Sequence, residues 1–290
     1  MSVATRLGLF TLTLAVVFAA AYGVGAVAGP TPPAEPSHDV AAGGHEEPGA
    51  GGGHESAASG PGGLAVAAYG YALRQIAAPV TAGASGEYAF QIVDTHQQPV
   101  TGFQDSHERR LHLIVVRRDL TGFQHLHPQM DPDGTWRVPI TLPAAGAWRV
   151  FADFKPDGLD RQVILGTDVQ LGGEYAPVPL PGPASTTTVD NFSVTADGTL
   201  AAGQTSRLTM RLAQDGAPVT DLQPYLGAYG HLVALRAGDL AYLHVHPQES
   251  ATAGPEIAFD VEVPTPGAYR LFLDFQHGGV VRTASLTAVA

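Results

Sequence analysis

Residues 124–129 read QHLHPQ and residues 243–248 read LHVHPQ, so one chain spells His-x-His-Pro-Gln twice. On an extended strand, side chains two apart point the same way. His125 with His127, and His244 with His246, therefore present paired imidazoles. A third histidine recurs at the same distance: His112 lies 13 residues before His125, and His231 lies 13 before His244. If the intervening turn closes a hairpin, the strand start at His112 comes level with His127 across the ladder. Three imidazoles per copy is the protein ligand count of an open zinc or copper(II) site. Asp153 and Asp274 recur in FADF and FLDF; each is a candidate fourth ligand, a candidate acceptor that fixes a histidine tautomer, or a solvated strand residue. A second reading stays open, in which the His-x-His-Pro histidines brace loop carbonyls and duplication has simply copied the brace. His96, His107 and His277 have no counterpart in the other copy, facing Asp215, Leu226 and Pro156.

Ligand softness narrows the metal. The chain has no cysteine and three methionines, of which only Met130 lies beside a motif. Imidazole with carboxylate favours copper(II), zinc or nickel, and copper(II) leads that series on affinity. Copper(II) or zinc is the expected ion. Affinity should weaken as pH falls through the ordinary histidine range near about 6.5, because imidazole binds metal only when neutral.

These residues must be positioned by strands. Beyond residue 63 the chain runs in short alternating segments such as EYAFQIVD, LHLIVVRR, TWRVPITLP and AWRVFADF, separated by Pro, Gly and Asp clusters. No long apolar pattern with a helical period interrupts them. The two halves are copies. An offset of 119 residues superimposes Pro99-Val100-Thr101 on Pro218-Val219-Thr220, His112 on His231, Arg117 on Arg236 and the two His-x-His-Pro-Gln motifs; after two inserted residues, FADF falls on FLDF. Units of about 100 residues have the size of one immunoglobulin-like β-sandwich. The Pro-x-x-Gly-x-aromatic pattern leading to Trp148 and Tyr269 suits the aromatic corner of such folds.

The expected organisation is all-β: two tandem immunoglobulin-like β-sandwiches at 64–175 and 188–290, joined by a Pro-rich linker at 176–187. A disordered Gly/Pro/His-rich tether at 30–63 precedes them, carrying His38, His45 and His54 beside carboxylates. At 1–29, Arg6 precedes an uncharged run of 22 residues from Leu7 to Ala28, an export signal. It is long enough to remain as a single-pass membrane anchor, while Ala26-Val27-Ala28 also offers a cleavage site. Either fate puts the sandwiches outside the cytoplasm. A formal charge of −12 gives no footprint for nucleic acid. The missing cysteine excludes disulfides, thiolate metal sites and a cysteine nucleophile.

The segments RLHLIVVRRDLTGFQHLHP and GHLVALRAGDLAYLHVHP resemble the signature of exported YtkA-like and FixH-like immunoglobulin-like domains. The second unit also resembles secreted "heavy-metal-binding" proteins of high-GC Gram-positive bacteria. The resemblance spans roughly residues 64 to 290 and leaves out the tether. It implies an exported β-sandwich associated with metal, and on matching positions it points to His112, His125, His127, His231, His244 and His246. The expected function is thus extracytoplasmic metal binding, one site per sandwich, in homeostasis or buffering. The alternative is an adhesion or assembly module that binds a protein partner. An enzyme like copper/zinc superoxide dismutase would need further histidines in a long zinc loop, and no such loop is visible after His127 or His246.

Overall fold

The computed structural model describes residues 13–19, 61–243, 245–248, 250 and 252–290, with His246 described in its main chain only. The leader and tether of the sequence reading therefore lie outside the described residues, except for an exposed helix at 13–19 and residues 61–63. Among the described residues no helix is long and apolar enough to cross a membrane. Residues 61–290 belong to one compact unit.

That unit is all-β, in two tandem immunoglobulin-like sandwiches. The first is built from β1 (Ala67–Ala68), β2 (Tyr71–Ala77), β3 (Ser85–Val93), β4 (Phe103–Gln104), β5 (Leu111–Arg117), β6 (Gln124–Leu126), β7 (Gln129–Met130), β8 (Thr135–Thr141), β9 (Gly146–Pro156) and β10 (Val163–Leu171). One sheet has the order β1-β2-β3-β8-β7 and the other β10-β9-β5-β6, with β4 added on β9. The second is built from β11 (Thr186–Val189), β12 (Phe192–Asp197), β13 (Gln204–Gln214), β14 (Ala217–Pro218), β15 (His231–Arg236), β16 (Tyr242–Leu243), β17 (Val245–Pro247), β18 (Glu256–Val263), β19 (Ala268–His277) and β20 (Val280–Val289). Its sheets run β11-β12-β13-β18-β17, with β14 on β13, and β16-β15-β19-β20. The aromatic corners close as the sequence suggests: Trp148 Nε1 donates to Ala144 O at 2.9 Å and Tyr269 Oη donates to Thr265 O at 2.5 Å.

Strand alternation explains the cores, but not all of β5. Leu111, Leu113 and Val115 face inward with Trp148, Val150, Ala152 and Phe154. The opposite face, carrying His112, Ile114 and Val116, would meet water in a lone sandwich, yet every residue of β5 is buried. The reason is a third apolar cluster between the sandwiches: Ile114, Val116, Leu120 and Phe151 from the first, with Val233, Leu235, Leu240 and Phe272 from the second. The sheets carrying β5 and β15 lie back to back. Phe123 stacks on Phe272 with ring centroids 4.1 Å apart, and Tyr242 meets Phe151 edge to face at 5.6 Å. LHLIVV thus departs from the alternating reading, because a strand covered on both faces carries a near-continuous apolar run. Each fully buried side chain of this size contributes up to roughly 1.5–3 kcal/mol, so the apolar band outweighs any single polar contact in holding the sandwiches together.

Main-chain bonds fix the same arrangement. Gly63 N donates to Ile164 O and Tyr242 N to Gly62 O, both at 3.0 Å, so residues 62 and 63 bridge the two sandwiches. Gly63 has φ +76°, and a Cβ there would lie 2.4 Å from Phe151, so only glycine fits. The Pro-rich linker is tied as well. Val178 N donates to Asp119 Oδ2 at 2.8 Å, Arg117 donates to Ala176 O at 2.9 Å, and Leu180 packs on the inter-sandwich cluster. Burial alone would raise the Asp119 carboxyl, but the Arg117 guanidinium and the Val178 and Thr121 N–H groups hold it well below the usual carboxylate range.

Candidate metal centre

The β5–β6 hairpin forms in the register that the histidine spacing requires. Leu113 pairs with Leu126 and Ile114 with His125, so the next step brings His112 opposite His127. Because His112, His125 and His127 share one face, their rings gather: centroids are 5.2 Å apart for His112–His125, 5.1 Å for His112–His127 and 4.9 Å for His125–His127. One nitrogen of each lies within 4.8 Å of the other two.

Hydrogen bonds assign two of the three tautomers. Asp274 Oδ2 accepts from His125 Nδ1 at 2.8 Å, and Ser106 O accepts from His112 Nε2 at 2.9 Å. With those protons committed and both rings in the neutral form that binds metal, His125 Nε2 and His112 Nδ1 both carry lone pairs, and they face each other at 3.0 Å. Two bare lone pairs repel unless a cation lies between or beside them. Two imidazole nitrogens on one tetrahedral zinc, each about 2.0–2.1 Å from it, stand about 3.3–3.4 Å apart, close to the observed separation. The third ring adds an orphan: His127 Nε2 is buried and has no hydrogen-bond partner among the described residues. A buried unpaired polar atom costs roughly 1–3 kcal/mol, which a bound ion would remove.

Burial favours the neutral form of His112, His127 and His231. Burial, reinforced by the His125 ring, pushes His112 down to about 3. Burial, with His125 and Arg109 nearby, pushes His127 down to about 4. His231 is also pushed to about 4 by burial, against the opposing bond from its Nε2 to Tyr225 O at 2.7 Å. Depressed imidazoles are ready for metal at neutral pH without losing a proton.

The neighbourhood is shared between the sandwiches. A cavity of about 200 Å³ is lined by His107, His112, His125, Asp153, His231 and Tyr242 among others. The His107 ring lies 5.2 Å from His231 and 6.1 Å from His112, and the His231 ring lies 6.4 Å from His125. Tyr225, at 6.2 Å from His127 and 5.9 Å from His231, closes one side. Burial raises the Asp153 carboxyl to about 6, against the hydrogen bonds from Gln162 and Tyr242 that favour its anion.

Of the residues expected from the sequence, His112, His125 and His127 come together. His231 joins their edge, its Nε2 bonded to Tyr225 O as His112 Nε2 is to the equivalent Ser106 O. His244 and the side chain of His246 lie outside the described residues. Of the two carboxylates, Asp274 is the one that hydrogen-bonds a histidine of the set among the described residues, and it does so in the other sandwich. Asp153, in the same sandwich as the trio, takes the amide of Gln162 at 2.5 Å, whereas Asp274, expected beside His231 in its own repeat, reaches across to His125. The physical reason is the back-to-back packing, which puts the outward face of β19 against the outward face of β5 and β6. His107, Tyr225, Gln162 and Tyr242 were missed by spacing arguments; His107 has no repeat partner, and the rest carry no metal-ligand pattern. His96 is solvent-exposed, and His277 pairs with Asp221 at 3.1 Å, away from the cluster.

Comparison with known proteins gives a family without an activity. A family profile described as Domain of unknown function (DUF8832) matches twice, at residues 66–170 and 187–290. No curated protein matches. Similar solved structures include the Escherichia coli adhesin FdeC, at 14% identity over 76% of this chain and 64% of that chain, with a TM-score of 0.23. Invasin, a bacterial integrin-binding protein, shows 15% identity over 75% of this chain and 39% of that one, with a TM-score of 0.20. Domains 5-6 of the S-layer protein SbsC show 12% identity over 75% and 95%, with a TM-score of 0.21. The chain spans less than two thirds of the length of the two adhesins, and likenesses at this level carry no argument about what it does. The two profile matches fall one on each sandwich and together cover more than half of the sequence, so the chain belongs to the DUF8832 family and carries its domain in duplicate.

Proposed function

We propose that this protein binds a copper(II) or zinc ion through His112, His125 and His127, and that it serves metal homeostasis or buffering outside the cytoplasm. One observation carries the reading: two committed imidazoles face each other with bare nitrogens at 3.0 Å, beside a third whose buried Nε2 has no partner. The donor set is all imidazole, with a carboxylate behind one ring and no thiolate anywhere in the chain, which suits copper(II) and zinc and leaves a coordination position for water or an exchanging ligand. The export signal read from residues 1–29 supports the location, and the likeness to YtkA-like and FixH-like domains supports the metal association. No nucleophile–base pair accompanies the cluster among the described residues, so binding rather than turnover is the role proposed.

Metal titration of the purified protein tests this. Copper(II) or zinc is expected to bind in at least stoichiometric amount, and His125→Ala to remove the first-sandwich share. A protein that stays metal-free at micromolar ion, and whose His125→Ala variant loses stability instead, would favour the brace reading and an adhesive role.

A further inference from the structure

Resting on that reading, we propose that the metal site of the first sandwich is completed by the second: Asp274 is the positioning residue that decides which nitrogen of His125 faces the ion. The contact is buried on both sides, with the His125 and Asp274 side chains 6% and 3% exposed. An ionised carboxylate only accepts hydrogen bonds, so His125 must hold its proton on Nδ1 and offer Nε2, the atom that faces His112 Nδ1. Asp274 is itself held in place. Thr283 Oγ1 donates to its Oδ1 at 2.5 Å, and its main chain pairs with His231 across β15 and β19.

The first sandwich does not supply this carboxylate itself. Its equivalent, Asp153, lies across the ladder from His112 but is engaged by Gln162 on its own sheet and by Tyr242 of the second sandwich. Gln162 and Thr283 occupy equivalent positions at the 121-residue offset, so both carboxylates are braced alike on their own sheets, and among the described residues their partners on the far side are Tyr242 and His125. Asp274 meets an imidazole there, and Asp153 meets a phenol. The carboxylate behind His125 is therefore a property of the docked pair. Acceptors behind ligating histidines commonly tune metal affinity by about 10–100-fold, through ring orientation and basicity.

The experiment uses the full chain carrying His244→Ala and His246→Ala, so that bound metal reports the His112, His125 and His127 set. Copper(II) and zinc affinities are measured by competition with a chelator, and long-range proton–nitrogen correlation on the metal-free protein at pH 8 reads the His125 tautomer. Adding Asp274→Asn, nearly isosteric but with a donor in place of one acceptor, is expected to weaken binding by about 10–100-fold and to remove the Nδ1–H preference of His125. Parent-like affinity in Asp274→Asn would overturn the proposal, and so would an Nε2–H tautomer in the parent, a result that needs no Asp274 variant to fold. If the parent binds no metal, the metal reading falls and this inference with it. If the parent binds and Asp274→Asn binds equally well, only the cross-sandwich role falls.

Discussion

The two sandwiches share a fold, a register and a histidine pattern, yet the face that each presents to the other differs at a few positions. Phe123 in the first corresponds to Tyr242 in the second, and His107 to Leu226. His107 and Leu226 both hold positive φ, 50° and 55°, so duplication kept the backbone turn and changed only what it displays. Among the described residues the Tyr242 phenol hydrogen-bonds Asp153, and Asp274 accepts from His125. What the repeats share explains the architecture; His244 and the side chain of His246, the second copy's counterparts of His125 and His127, lie outside the described residues.

The comparison can be broken most forcefully at its apolar centre. Phe151→Ala and Phe272→Ala remove equivalent buried rings from the two sides of the contact, and each is expected to cost about 3–5 kcal/mol in denaturant unfolding. Near-equal losses would show that the two sides matter alike; a small loss from one would show that the packing is one-sided. His125→Ala, in the His244→Ala/His246→Ala background, is expected to lower copper(II) and zinc affinity by more than the roughly 100-fold upper range for a supporting residue, as measured by chelator competition.

The pH response sharpens the same contrast. In the metal-free protein His112, His127 and His231 stay neutral down to about 3, 4 and 4, while in the unfolded chain they protonate near 6.5. The unfolded state binds more protons over that window, so stability is full above about 6.5 and falls as pH drops toward about 4. Asp153, raised from 3.8 to about 6, acts in the opposite direction between those values, with one proton against three. Net destabilisation on acidification is expected in unfolding curves taken from pH 7 to 4, and a flat profile would contradict the depressed imidazoles. Metal affinity is likewise expected to persist below the ordinary histidine range insofar as His112 and His127 set it, which moves the acid limit lower than histidine chemistry alone suggests. The smallest change is at Tyr242→Phe, which makes the second repeat copy the first. Loss of that hydrogen bond is expected to raise the Asp153 carboxyl further, by less than about one pH unit, readable by carboxyl carbon shifts.

Much of this was legible in the residues themselves. Strand periodicity of two placed His125 with His127, and the 13-residue spacing placed His112 level with them, because hairpin register is a local matter of turn length and alternation. The aromatic corners at Trp148 and Tyr269 were legible for the same reason. Which carboxylate supports the site was not, since Asp153 and Asp274 carry identical local signals and differ only in partners brought by tertiary packing. The back-to-back packing does leave a mark in the sequence: LHLIVV and its copy HLVAL have no polar residue on their outward face beyond the leading histidine, as a strand covered from both sides requires.

The contact between the sandwiches has the geometry of a homodimer written into one polypeptide. Phe123 meets Phe272 as Tyr242 meets Phe151, each patch answering its own duplicate, which is the isologous pattern of a twofold axis. In a true dimer every substitution appears twice, and the two half-sites are bound to remain twins. Covalent fusion lifts that bond of symmetry. Linked halves are free to differ, and the first carries His107 where the second carries Leu226.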